Sequence, residues 1–171
     1  SLGRIINLLK KVNEPHSKIK NIIHVAGTNG KYSTLRYLQE ILRYNNKTTN
    51  AYISPHLIRF NERFELKDKQ VDNETLLNTL INIKDKNNDD PITFFEILTA
   101  SYFYKAAQYP ENINLIEAGL FHRFDATNVL KRNLASVICS CSIDHTDWLS
   151  KNEKTIEKIV FEKTSALLNS N

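Results

Sequence analysis

Apolar residues in the first dozen positions recur every three or four places (Leu2, Ile5, Ile6, Leu9, Val12), the period of one helix face over residues 2–13, and Pro15 ends the pattern. Residues 21–26 then form a short apolar run suited to a buried strand. Helical spacing returns over 31–44, with Leu35, Leu38, Ile41 and Leu42 on one face. Residues 48–54 read as a second strand, stopped by Pro55. A polar stretch with room for one short strand follows, and 75–84 and 93–108 read as helices separated by the turn-rich KNNDDP. In the second of these, Phe94, Phe95, Tyr102 and Phe103 read as core. Runs 113–118 and 135–143 read as apolar runs typical of interior parallel strands, and 153–168 closes as a helix.

Strands alternating with helices predict an α/β fold, a mostly parallel sheet with helices on both faces. Ligands of such sheets gather at the carboxyl ends of the strands, so the loops opening at Gly27, Ser54, Glu117 and Asp144 should converge. A length of 171 residues suits one domain. With 41% hydrophobic and 25% charged residues the composition is that of a globular chain, and no apolar run approaches the roughly 20 residues that cross a bilayer. The first helix mixes lysines among its apolar residues, unlike a secretory signal, so a cytoplasmic location is expected and a membrane partner is not. The net charge of +4 comes from 23 basic and 19 acidic residues spread over every segment, with no basic run longer than two. That is a solvated surface rather than a nucleic-acid stripe. Cys139 and Cys141 lie two apart in an apolar run, where strand alternation points both the same way. They are unsuited to a mutual disulfide and too few for a metal centre, and so read as inert packing residues.

Candidate chemistry begins at Gly27-Thr28-Asn29-Gly30-Lys31-Tyr32-Ser33-Thr34, between the first strand and the helix after it. Glycines permit backbone shapes that aim N–H groups at a phosphate, and the helix adds its positive end. Lys31 would neutralise outer phosphates, and Ser33 or Thr34 would offer a hydroxyl to phosphate or magnesium. The spacing departs from the usual Walker pattern, with two residues between the glycines and Tyr32 between lysine and serine. Glu117 stands at the exit of a buried strand, a position from which a carboxylate holds magnesium or caps a strand tip. Arg123, Asp125, Thr127 and Asn128, and likewise Asp144, His145 and Asp147, follow two further strands. Lys163 shares a helix face with Ile156, Ile159 and Val160. Glu96 is a carboxylate inside an apolar helix, where an unpaired charge would cost several kcal/mol.

The segments HVAGTNGK.ST, YISPHLIRFNERF, FFEILTA, EAGL..RFDATNV, IDHTDWL and FEK occur in this order over nearly the whole chain. Together they resemble the folylpolyglutamate synthases and dihydrofolate synthases of the Mur ligase superfamily. The resemblance implies a P-loop-containing, Mur-ligase-like domain over residues 1–171, the family's second, smaller domain lying outside the chain. It implies ATP and Mg2+ as cofactors, with folate or dihydropteroate and L-glutamate as substrates of a monomer. The γ-phosphate of ATP would pass to the folate carboxylate, and the glutamate amine would displace it from the acyl phosphate. By position, Gly27, Thr28, Asn29, Gly30, Lys31, Ser33 and Thr34 would bind ATP. Ser54, Glu117, His145 and Lys163 would hold metal, Lys163 as a carbamylated lysine, with Lys31, His145 and Lys163 as the catalytic set. His56, Arg59, Phe60, Asn61 and Glu62 match a substrate-shaping loop, Phe95 and Glu96 match the folate cleft, and Asp125 matches a polar position beside a second metal.

Several positions where the family has glycine differ: Tyr32, the pair Phe121 and His122, and Ser150, while Thr164, Ser165 and Ala166 replace an Ala-Gly-Ile run. Tyr32 is expected to weaken phosphate binding, and the 171-residue chain to have little or no ligase activity by itself. The alternative is a non-catalytic remnant or nucleotide-binding module that keeps the fold.

Overall fold

A computed structural model describes residues 2–121, 123–144, 147 and 149–165. Its strands are β1 (Ile22–Ala26), β2 (Thr49–Tyr52), β3 (Phe64–Leu66), β4 (Lys69–Gln70), β5 (Ile113–Glu117) and β6 (Asn133–Ile138), in the sheet order β4-β3-β2-β5-β1-β6. The pairs β2–β5, β5–β1 and β1–β6 are parallel, and β3 and β4 add an antiparallel hairpin at one edge. The helices are α1 (Gly3–Lys11), α2 (Lys31–Tyr44), α3 (Asn73–Asn87), α4 (Phe94–Ala106) and α5 (Ile156–Thr164). Helices α1, α3 and α4 cover one face around Ile5, Leu8, Leu9, Tyr52, Phe64, Tyr102 and Phe103, with the rings of Tyr52 and Tyr102 stacked at 4.8 Å. On the other face α2 drives Leu35 onto Ala51, Ile53 and Leu115. Alternation along the strands divides the two cores: Tyr52 and Ile116 face one way, their neighbours Ala51 and Leu115 the other. Each fully buried aliphatic or aromatic side chain contributes about 1.5–3 kcal/mol.

Caps explain where helices begin. Asp72 accepts from Thr75 N and starts α3 at Asn73, ahead of the apolar pattern. The buried side chain of Asn87 donates to Asp90 O, and Lys11 Nζ donates to Asn87 O, so α3 also continues past residue 84. Thr93 and Glu96 form a reciprocal capping box at the head of α4. The polar stretch holds two strands, not one, joined by Lys67 and Asp68 in left-handed conformations, φ 53° and 62°, the turn that suits the twist of a hairpin.

Four expectations are corrected. Strand β6 spans Asn133–Ile138 and not 135–143, because after Cys139 N bonds Ala26 O at the end of β1 the chain turns, from Ser140 on, to bond the loop at Thr28 and Asn29. It also lies at an edge of the sheet among the described residues, with Leu134 exposed, and is not an interior strand. Phe94 is 61% exposed, since it occupies the first turn of α4 ahead of the buried face. Helix α5 begins at Ile156, where Thr155 caps it by accepting from Lys158 N, rather than at residue 153. Cys139 and Cys141 are both free and half-buried, beyond the strand end where alternation no longer governs them.

Candidate functional site

Strand β1 ends at Ala26 and the chain turns through Gly27 and Gly30, with φ of 141° and 86°. Both values lie where a side chain is strained. A Cβ on Gly27 would also stand 2.8 Å from the Cβ of Cys139. That closeness reflects a seam between this loop and residues 139–142. Cys139 N donates to Ala26 O (2.8 Å), Thr28 N to Ser140 O (2.8 Å) and Ser142 N to Thr28 Oγ1 (3.1 Å), while Thr28 Oγ1 donates to Ser142 O (3.2 Å). Ser140 Oγ donates to Asn29 O (3.2 Å). The amide and hydroxyl of Thr28 are therefore engaged in holding the loop. Helix α2 starts at Lys31 and turns its N-terminus, with its unpaired N–H groups, to the loop. Ser33 is exposed in its first turn, and the Thr34 hydroxyl lies 3.3 Å from Cys139 Sγ.

The Tyr32 ring lies under the Arg36 guanidinium, 5.0 Å from centroid to Cζ, and Arg36 pairs with Glu65 at 2.8 Å. The ring is thus held along the helix flank. Tyr32→Gly is expected to leave magnesium-ATP affinity within about twofold and to lower stability by about 0.5 kcal/mol through lost helix propensity. Calorimetric titration and urea unfolding measure the two; a clear tightening of ATP would show that the ring does obstruct the loop.

Glu117, 3% exposed, ends β5 beside Val25 of β1. One carboxylate oxygen accepts from Ser54 N at 3.1 Å, and the other lies 3.8 Å from Lys31 Nζ, which also donates to Thr28 O at 3.2 Å. Burial raises the carboxyl pKa above its ordinary value, opposed by the Ser54 amide and by Lys31. Lys163, 2% exposed, reaches from α5 to donate to Gly27 O and Leu120 O, each at 3.3 Å, with the Phe121 ring 5.6 Å from its nitrogen. Burial first, then Lys31, lowers its pKa. The loops at Gly27, Ser54 and Glu117 therefore converge as expected. His145 and His122 lie outside the described residues, and among the described residues no three His, Cys, Asp or Glu side chains group as a metal site. Magnesium needs only one or two carboxylates when phosphates and water complete its shell, which Glu117 at the loop satisfies.

A cleft of about 730 Å3 opens beside Lys31 and Ser54 and includes Phe95, Glu96 and Asp125. The Glu96 carboxylate accepts from Arg4 Nε (3.1 Å) and from Thr93 N (2.8 Å) and Thr93 Oγ1 (2.7 Å), so its burial is compensated. Asp125 is buried, accepting from Gly119 N (3.0 Å), Thr127 N (3.0 Å) and Thr127 Oγ1 (2.5 Å), and Thr127 Oγ1 in turn lies 2.8 Å from Nε2 of buried His24. Since the Thr127 hydroxyl donates to Asp125, it accepts from His24, which places the proton on Nε2. Burial pushes the Asp125 carboxyl pKa up.

The loop after β2 lines this cleft at Ser54 and Pro55 and then turns away from it. Arg59, Phe60 and Asn61 line a separate recess with Gln70 and Val71. Glu62 accepts from Leu57 N (2.8 Å), Ile58 N (3.0 Å) and Arg59 N (2.6 Å), and these bonds hold its pKa below the ordinary value. His56 Nδ1 accepts from Arg63 Nε at 2.9 Å, and Arg63 lines the cleft and so links the two.

Sequence reasoning missed Arg4, Arg63, Gly119, Phe124 and Glu162 as cleft residues. The Thr93-x-x-Glu96 spacing was a readable capping signal. The bidentate pair of Arg123 with Glu162, at 2.8 and 2.6 Å across 39 positions, had none.

No family model matches the chain. A curated relative, the dihydrofolate synthase/folylpolyglutamate synthase of Haemophilus influenzae, is 38% identical over 162 residues, 95% of this chain and 36% of its own length. Among solved structures, E. coli FolC in complex with DHPP and ADP superposes with a TM-score of 0.86 at 30% identity, covering 95% of this chain and 38% of that one. The bifunctional folylpolyglutamate synthase/dihydrofolate synthase of Yersinia pestis complexed with AMPPNP and Mn gives 0.86 at 30% identity, covering 96% and 39%. The chain thus spans a little over a third of the length of the proteins it matches. Across that span sequence and fold agree, and the chain belongs to the folylpolyglutamate synthase/dihydrofolate synthase family.

Proposed function

We propose that residues 1–171 form the nucleotide- and metal-holding domain of an ATP-dependent ligase that joins L-glutamate to a folate or dihydropteroate carboxylate. The observation that carries this reading is the meeting of three strand tips, where Lys31 and Glu117 stand 3.8 Å apart beside the loop of Gly27 and Gly30. In this reading the loop's amides and Lys31 hold the triphosphate, Ser33 and Thr34 offer hydroxyls, and Ser54, Glu117, His145 and Lys163 hold Mg2+, which when bound offsets charge on the transferring phosphoryl. The lowered pKa of Lys163 favours its neutral amine, the form that adds CO2 at Nζ with release of a proton to give a carbamate. Phe95, Glu96 and Asp125 border the folate cleft, and His56, Arg59, Phe60, Asn61 and Glu62 shape its approach. The reading includes a monomer in the cytoplasm; no helix among the described residues is long and apolar enough to cross a membrane.

A second reading, a nucleotide-holding fold without ligation, is supported by Phe121 over Lys163, where a ring replaces family glycine. Calorimetry of the chain with ATP and Mg2+ is expected to show saturable binding that Lys31→Ala weakens about 30-fold, the equivalent of about 2 kcal/mol. An intact chain that binds no ATP would sink both readings. Phosphate release that requires folate and glutamate together selects the ligase over the module.

A further inference from the structure

At the end of the sheet opposite Gly27, the segments leading into β1 and β6 enclose a cavity of about 500 Å3. Its floor is aliphatic, made of Ile19, Ile22 and Val129, each more than nine-tenths buried. Its rim carries Lys20, Lys131 and Arg132, the last two forming one of the chain's two longest basic runs. None of these three cations has an ion pair or side-chain hydrogen bond with another described residue. His16 forms one wall, where burial first and then the charge of Lys131 lower its pKa against the pull of Glu14, and its buried Nδ1 has no partner, so no bond fixes the ring there.

Three like charges around one concavity repel one another, and an apolar floor concentrates their field instead of screening it. An anion relieves that repulsion, and the planar fork of Arg132 matches phosphate oxygens in pairs. The volume lies in the range that holds a small molecule, and the side chains of Ile19, Ile22 and Val129 are apolar. We infer that this cavity binds a phosphorylated small molecule carrying a flat ring, its phosphate among Lys20, Lys131 and Arg132 and its ring on Ile19, Ile22 and Val129. The site is separate from the phosphate loop and is independent of the function proposed above.

Residue-resolved NMR titration of the full chain with AMP, inorganic pyrophosphate and adenosine at 0.15 M salt, on the order of physiological ionic strength, tests it. AMP is expected to give saturating shifts at Ser17, Ile22 and Val129, adenosine none, and pyrophosphate binding at least fivefold weaker for want of a ring. Lys131→Ala and Arg132→Ala should each weaken AMP at least fivefold there, while Lys31→Ala affects only shifts at residues 27–34. Shifts at Ser17, Ile22 and Val129 that never saturate, that persist in Arg132→Ala, or that pyrophosphate reproduces at equal affinity would overturn the inference. Loss of the 27–34 response alone counts against the proposed function and leaves this site standing.

Discussion

Gly27→Ala is expected to lower unfolding free energy by about 3 kcal/mol and to abolish magnesium-ATP binding. Two separate penalties add. A φ of 141° is a conformation that only glycine adopts without strain, at about 1–3 kcal/mol for any other residue. The new Cβ would also press on Cys139, whose Cβ lies 2.8 Å away and whose backbone Cα and carbonyl carbon lie 3.2 Å away, an overpacking penalty of about 1–3 kcal/mol. A second substitution separates the two. Cys139→Gly in the Gly27→Ala background removes the nearer contact and leaves the backbone strain, so about 1 kcal/mol should return without restoring ATP binding. Urea unfolding of the four chains in this cycle measures it. A Gly27→Ala chain as stable as its parent would mean that the loop relaxes freely and that the seam with residues 139–142 does not constrain it.

Glu117→Gln should separate stability from function in the other direction. Burial raises the Glu117 pKa above the ordinary glutamate value of 4.5, so the folded state binds its proton more tightly than the unfolded state does. The favourable contribution is therefore complete below about pH 4.5 and is lost as pH rises through the raised folded value. Glutamine has no such dependence and still accepts from Ser54 N. The stability of Glu117→Gln relative to the parent is accordingly expected to climb as pH rises above about 4.5 and to level off once pH has passed the raised folded value. Over the same range the dependence of ATP affinity on Mg2+ should fall at least tenfold, because a neutral amide is a poor magnesium ligand. Thermal unfolding across pH and ATP titrations with and without Mg2+ check both halves. A parent that gains on the variant as pH rises would show that Lys31 and Ser54 outweigh burial.

The backbone layout could be read because period and punctuation agree in most segments. Residues 31–44 follow Gly30 and keep an uninterrupted helical face, and α2 has those bounds. Residues 113–118 are apolar but for Asn114 and Glu117, and β5 lies between β1 and β2. Periodicity failed where another force set the boundary. Polar residues continue α3 because Asp72 and Asn87 secure its ends, and Ser140 and Ser142, inside a run that reads as strand, are drawn off by hydrogen bonds with Thr28 and Asn29. The site divides in the same way. Gly27, Lys31 and Glu117 sit at strand and helix ends that pattern locates, whereas Arg4 reaches Glu96 across 92 positions, a proximity that only the assembled fold creates.

The seam between residues 26–29 and 139–142 has a consequence for how the protein is made. Its bonds join positions more than 110 residues apart, so no part of it can form while only the first hundred residues have been synthesised. Helix α2 and the β2–β3 pairing can assemble earlier from the residues then available, but the loop acquires its shape only when the chain beyond β6 arrives. Competence to grip a nucleotide is thus a late event in biogenesis, and nascent chains arrested before residue 139 should be retained on immobilised ATP no better than unfolded ones.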